Sequence, residues 1–281
     1  MKLRTGIIGL VAAAAGVAGC GDDKDDAGSK NAFQGVKDRG TLRAGIRSEA
    51  PPHSFVGPGG RLVGFDVEIA QELAKNLGVK LEIVRVDELT RISFLKNGRI
   101  DVAVAAMNHT RERDKEIDFS QTYFFAKQSF LTKKGGPATL KELGGKTVGM
   151  TRGSSAIGNW RDYSKANGLP APKIVELGDA RAAVEAVKSG KIEGWAEDLE
   201  QLQNFVADDP SLAAITAEGI GPKLDGVGIK ENESELADAV NVALQEIETS
   251  GRYDAIYDKW FGPRSRTPVP RGGSIEVWAN G

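Results

Sequence analysis

Apolar positions along the chain switch between a period of two and a period near 3.6, and the switches predict an α/β protein. Residues 41–46 (TLRAGI) predict a strand that runs into a loop, 47–55, where Pro51 and Pro52 exclude a helix interior. A hairpin-like turn is expected at 57–60. Phe65, Ile69, Leu73 and Leu77 recur at i, i+4 and predict an amphipathic helix stopped at Gly78. Residues 81–86 alternate as a strand, Asp87 caps a helix over about 88–96, and the apolar run 100–104 reads as a strand buried on both faces. A polar turn and a short helix are expected next, then a strand over 124–132.

A second α/β set follows. Its strands are expected at 146–151, 173–177 and 192–196, and its helices at about 154–167, 180–189 and 198–207. Residues 222–230 predict a return strand. Leu236, Val240, Leu244 and Ile247 mark one face of a helix over 233–249, and a last helix covers 253–261. The tail from Gly262 shows no periodicity. This alternation predicts right-handed crossovers, a mainly parallel sheet, and two lobes with the chain crossing near Lys127 and returning near Val227.

Composition narrows the function. The 281 residues carry a formal charge of −2, which offers no basic surface for nucleic acid. Cys20 is the only cysteine, so an internal disulfide and a cysteine-based zinc site are excluded. His53 and His109 are the only histidines, too few for a histidine metal site, and no motif calls for a cofactor. Lys2 and Arg4 precede an apolar run, 6–18, that falls short of the about 20 residues needed to span a bilayer. The run ends V-A-G-C, which resembles a bacterial lipobox with Cys20 as the lipidated residue; a plain secretory signal is the alternative. Loss of residues 1–19 removes Lys2 and Arg4 and leaves a charge of −4. Residues 21–32 read as a flexible tether, so the membrane is expected to be met only through the lipid.

Residues 105–123 (AAMNHTRERDKEIDFSQTY) hold the candidate chemistry. Asn108, Thr110 and Arg113 can offer backbone groups, small polar side chains and one guanidinium to a single point, which suits a carboxylate. The alternative is a surface arginine among Arg111, Glu112, Asp114, Lys115 and Glu116.

The run T-R-E-R-D-K-E-I-D-F-S from Thr110 resembles the T-x-x-R-x-x-x-x-x-F-S signature of the polar amino-acid solute-binding proteins of ABC importers. G-F-D-V-E-I-A (64–70), R-I-x-x-L-x-x-G-x-I-D (91–101), G-S-S (153–155) and V-K-S-G-K-I-E-x-x-x-x-D (187–198) follow in that family's arrangement, and the resemblance covers about residues 33–262. It implies a two-lobed periplasmic-binding-protein-like fold (type II), with 33–126 plus 228–281 as one lobe and 127–227 as the other. It further implies a monomer that binds an amino acid by hinge closure, with permease and ATPase subunits as partners and no enzymatic activity.

The resemblance also assigns roles. Arg113 takes the α-carboxylate, and Asp198 takes the α-ammonium. Ser154 and Ser155 stand at a helix start, where hydroxyls and free N–H groups favour an anion; simple N-capping is the other reading of both serines and of Asp198. Ala106 replaces a common serine and contributes backbone only, while Asn108 keeps hydrogen-bonding capacity. Arg47 stands where binders of basic amino acids resemble an aspartate, and Arg91 matches members that bind acidic ones. Three arginines against Asp198 leave a local excess of +2, which suits L-glutamate or L-aspartate. His53 and His109 are candidates for the pocket rim. Three alternatives stay open: a binder of a neutral polar amino acid such as glutamine, a receptor's sensor module, and a cyclohexadienyl dehydratase acting on prephenate or arogenate. The last would need a general acid, for which Glu49, Glu88 and Glu197 are the candidates.

Overall fold

The computed structural model describes residues 31–279. The leader, the Cys20 lipidation site and the tether up to residue 30 lie outside them. Residues 31 and 32, expected as tether, belong instead to a helix. Asn31 caps α1 (Ala32–Arg39) by accepting the N–H of Gln34 at 2.8 Å. Only Val36 of α1 is buried and Gly35 interrupts it, so it shows no apolar stripe.

The chain continues through β1 (Thr41–Arg47), β2 (Glu49–Ala50), β3 (Ser54–Val56), β4 (Leu62–Val63), α2 (Phe65–Asn76), β5 (Lys80–Val86), α3 (Thr90–Lys96) and β6 (Val102–Ala103). The short helix expected after Thr110 is a single 3-10 turn, Arg113–Lys115, and β7 (Ile117–Lys133) starts directly behind it. Next come β8 (Thr147–Thr151), α4 (Ala156–Ala166), β9 (Lys173–Leu177), α5 (Ala180–Lys188), β10 (Gly194–Asp198), α6 (Leu199–Asp208) and β11 (Leu212–Ala214). The chain returns along β12 (Gly221–Lys230) and finishes in α7 (Ser234–Thr249) and α8 (Arg252–Trp260).

One sheet runs β5-β1-β6-β12-β7-β10-β8-β9, with β11 also on β7, and β2-β3-β4 forms a small antiparallel sheet. The large sheet is parallel at both flanks and antiparallel in the middle, where β12 pairs with β6 and β7, and β7 with β10 and β11. The expected mainly parallel sheet is therefore a mixed one. The reason is topological: β7 carries the chain out and β12 carries it back, so they run oppositely. The lobe boundaries expected at 126/127 and 227/228 fall inside these two strands.

The apolar cores separate accordingly. Phe65, Leu73, Tyr123, Val227, Leu244 and Tyr257 belong to one cluster, with a smaller one around Leu95, Ile100 and Met107. Phe130, Met150 and Trp160 form a third, and Leu131, Trp195 and Leu202 a fourth. This is a two-lobed α/β fold in which the long strands are shared. The tail after α8 packs on both halves: Ile275 is buried in the first core, Arg271 bonds Glu248 and Asp254, and Thr267 accepts from Asn204 of α6.

Candidate functional site

The ends of β1 and β6 on one side, and of β8 and β10 on the other, face each other where β7 and β12 cross. Ligand sites lie outside such strand ends in open α/β sheets. Here a narrow, polar cavity is lined by Arg91, Ala106, Asn108, Arg113, Ser154, Ser155 and Asp198, with Glu88, Gln128, Glu197 and Lys223.

Seven of the eight residues expected in a site thus meet at one cavity. Arg113 is positioned by the turn before β7. Its Nη1 donates to the Asn108 carbonyl at 2.8 Å and its Nη2 to the Gly153 carbonyl of the other half at 3.0 Å. That leaves the rest of the guanidinium fork for a carboxylate. Asn108 accepts the N–H of Leu224 through Oδ1 at 2.9 Å and donates from Nδ2 to Ser155 Oγ at 3.3 Å, so it too spans the cleft. Ser155 Oγ also accepts from Gln128 at 3.2 Å. Ser154 precedes the N-cap of α4, which is Ser155, and its Oγ accepts the N–H of Ala156 at 3.2 Å. Gly153 lies in the left-handed region (φ 81°), and a Cβ there would come within 3.2 Å of the Glu88 carbonyl across the cleft. Only glycine allows that approach without strain.

Ala106 sits at φ 45°, and its N–H donates to Asp66 Oδ2 at 2.8 Å rather than into the cavity. Its expected backbone contribution through that N–H is therefore corrected. Arg91 is 1% exposed and donates from Nη1 to the Ala105 carbonyl at 2.8 Å. Burial and the neighbouring Arg113 pull it down to about 10, still charged at neutral pH. Arg47, the eighth residue, stands one step behind the cavity. It lines the adjoining open recess and reaches Glu88 at 3.1 Å, while Arg91 reaches the same carboxylate at 3.5 Å.

Both histidines are placed differently from the expected rim. His53 is fully buried between Phe65, Phe124 and Phe261, 2.9 Å from Glu200 and 3.5 Å from Asp66. Burial opposes its charge, but Asp66 and Glu200 outweigh it and lift His53 to about 10. The chain can reach this position because Gly64 (φ 137°) lets its backbone press on the His53 carbonyl, which a Cβ would approach to 2.2 Å. His109 is exposed, stacks on Phe119 and bonds Asp114, and does not line the cavity.

Glu88, Gln128, Glu197 and Lys223 were not assigned to a binding site from the sequence. Burial, Asp198 and Glu88 push the Glu197 carboxyl above the ordinary carboxylate range. Lys223 Nζ lies 2.5 Å from Asp198 and 2.7 Å from Asp225. Asp198 also accepts from Gln128 at 3.1 Å and Gln201 at 2.6 Å. The available signal was Lys223 and Asp225 two apart on one strand, which puts opposite charges on one face.

Residues 42–263 match the bacterial extracellular solute-binding proteins, family 3. The chain belongs to this family. It is 32% identical to the ABC transporter glutamine-binding protein GlnH of Bacillus subtilis over 90% of this chain and 92% of that one. It is likewise 32% identical to the L-cystine-binding protein TcyJ of Escherichia coli over 81% and 85%. Among solved structures, an ancestral arginine-binding protein bound to glutamine matches with a TM-score of 0.72 and 35% identity, over 80% of this chain and 99% of that one. The protein is an amino-acid-binding component of ABC transport that works outside the cytoplasm, and its close relatives are transport binding proteins rather than enzymes. No helix among the described residues is long and apolar enough to cross a membrane.

Proposed function

We propose that this binding protein takes a neutral amino acid with a terminal amide, glutamine in type, and delivers it to an importer's permease and ATPase by hinge closure. Arg113 holds the α-carboxylate and Asp198 the α-ammonium. The observation that carries the amide is a pair of buried atoms on cavity-lining residues without hydrogen-bond partners, Arg91 Nε and Glu88 Oε2, while Arg47 behind them is ion-paired with the other Glu88 oxygen at 3.1 Å. One is a donor and the other an acceptor. An amide presents one acceptor and an N–H₂ donor, and so answers both kinds. A carboxylate only accepts and would meet Glu88 with like charge.

The charge balance supports the same reading. The expected excess of +2 omitted Glu88, Lys223 and the groups behind them. In the connected cluster Arg47, His53, Arg91, Arg113 and Lys223 face Asp66, Glu88, Asp198, Glu200 and Asp225, with Glu197 pushed toward its neutral form. A net-neutral zwitterion leaves that balance intact, whereas glutamate adds an uncompensated charge. Glutamate and aspartate are thus the competing ligands. Glu197 in the cavity, pushed above the ordinary carboxylate range, is what favours the remaining rival, a dehydratase with Glu197 as general acid; turnover of prephenate distinguishes it.

Glu88→Gln tests the amide reading. It removes the like charge that disfavours a ligand carboxylate. The ratio of glutamate to glutamine dissociation constants is expected to fall by at least about tenfold, measured by calorimetric titration. An unchanged ratio contradicts the assignment. Lipidation at Cys20 belongs to the same proposal and rests on the sequence alone.

A further inference from the structure

Asp198 is already occupied. Its Oδ2 receives Lys223 Nζ at 2.5 Å and Gln201 Nε2 at 2.6 Å, and its Oδ1 receives Gln128 Nε2 at 3.1 Å. A ligand ammonium arriving at this carboxylate meets a resident ammonium in its place. Lys223 lines the cavity and is 2% exposed, so it has no route to solvent as an escape. It does have a second carboxylate. Asp225 Oδ2 lies 2.7 Å from the same Nζ, and Asp225 Oδ1 is buried with no hydrogen-bond partner. An orphaned buried carboxylate oxygen is costly and calls for an explanation.

The three groups carry one positive and two negative charges, a net −1 in a buried place. A second ammonium makes that trio neutral. We propose that Lys223 is the resident counter-ion of Asp198 and yields to the ligand's α-ammonium by moving onto Asp225, whose free Oδ1 receives it. β12 suits this arrangement. Lys223 and Asp225 are two residues apart and point to one face. Asp225 is fixed by its backbone pairing with Asn108, and Asp198 ends β10 beside Gln128 of β7. The exchange keeps each carboxylate in contact with a cation in both states: in the empty site Lys223 is shared between the two, and in the loaded site each carboxylate has its own. Asp198 is held below the ordinary carboxylate range against burial, chiefly by Lys223, and the same lysine works against burial at Asp225.

Lys223 then sets how strongly the site selects for an α-amino group. The ammonium of the ligand gains Asp198 only by displacing another cation, so its net value is reduced. This inference rests on the proposed ligand, and the test separates the two. Wild type, Lys223→Met and Asp225→Asn are titrated with glutamine and with glutaramate, which is glutamine without its amino group. In Lys223→Met the bare Asp198 waits for a cation, and the affinity ratio of glutamine to glutaramate is expected to rise about tenfold. In Asp225→Asn the lysine has no second carboxylate, and the ratio is expected to fall about tenfold. Should Lys223→Met fail to fold, the nearly isosteric Asp225→Asn carries the test by itself. A purely structural lysine would move the melting temperature and leave the ratio alone, so a ratio constant within about twofold overturns the exchange. Absence of any glutamine binding by wild type overturns the ligand assignment and the exchange with it. A constant ratio with normal glutamine binding overturns the exchange only.

Discussion

Replacing Arg113 with alanine lowers glutamine affinity by at least about thirtyfold, because truncating one side of a buried charge pair costs on the order of 2–5 kcal/mol. The variant removes the guanidinium that faces the ligand carboxylate. It also removes the Nη2 bond to the Gly153 carbonyl that ties the two sides of the cleft. Arg113→Lys restores the charge without the fork, and is expected to recover only part of the loss. Glutamate should lose as much as glutamine, since both share the α-carboxylate. Titration calorimetry reads all of these. A loss below about fivefold for Arg113→Ala would mean that the carboxylate lies elsewhere.

His53→Ala acts on stability instead. It leaves Asp66 and Glu200, both buried, without the cation between them, and opens space among Phe65, Phe124 and Phe261. Breaking a buried pair in this way costs roughly 3–5 kcal/mol, which urea denaturation reads directly. Because His53 does not line the cavity, the glutamine dissociation constant of the folded variant is expected to stay within about threefold. A rim histidine would give the opposite pattern, with stability unchanged and affinity reduced. The ion pair also gives the wild type a pH signature. His53 titrates near 10 in the fold against an ordinary value of 6.5. Its contribution is therefore fully present below about pH 6.5 and is lost as pH rises through about 10. His53→Ala lacks that component of the alkaline loss.

What could be read from the sequence follows from where the information sits. The helices α2, α5 and α7 were legible because each buries recurring apolar positions in a core, and burial imposes a local period. α1 was not, since one buried valine leaves no period. β7 was cut short because its first residues follow a charged turn and pair only with β12, about a hundred residues away. The same division holds for the site. Arg113, Asn108, Ser155 and Asp198 belong to local motifs and converge on one cavity. Glu88 was weighed only as an enzyme acid, although it faces Arg47 and Arg91, and Lys223 joins Asp198 from a different strand. Such charge balances exist only once distant segments meet, and the expected excess of +2 left out Glu88 and Lys223 for that reason. His53 was misplaced because a histidine in a proline-rich loop looks exposed; the two carboxylates that hold it inside come from α2 and α6.

The central claim is the amide end of the ligand, and a single calorimetric experiment addresses it. Protein stripped of bound ligand by unfolding and refolding is titrated with glutamine, glutamate and arginine in one buffer at neutral pH. Glutamine binding at least about tenfold more tightly than either of the other two is the predicted result. Glutamate binding more tightly than glutamine would contradict it, and would mean that Arg47 and Arg91 outweigh Glu88 at the far end of the cleft.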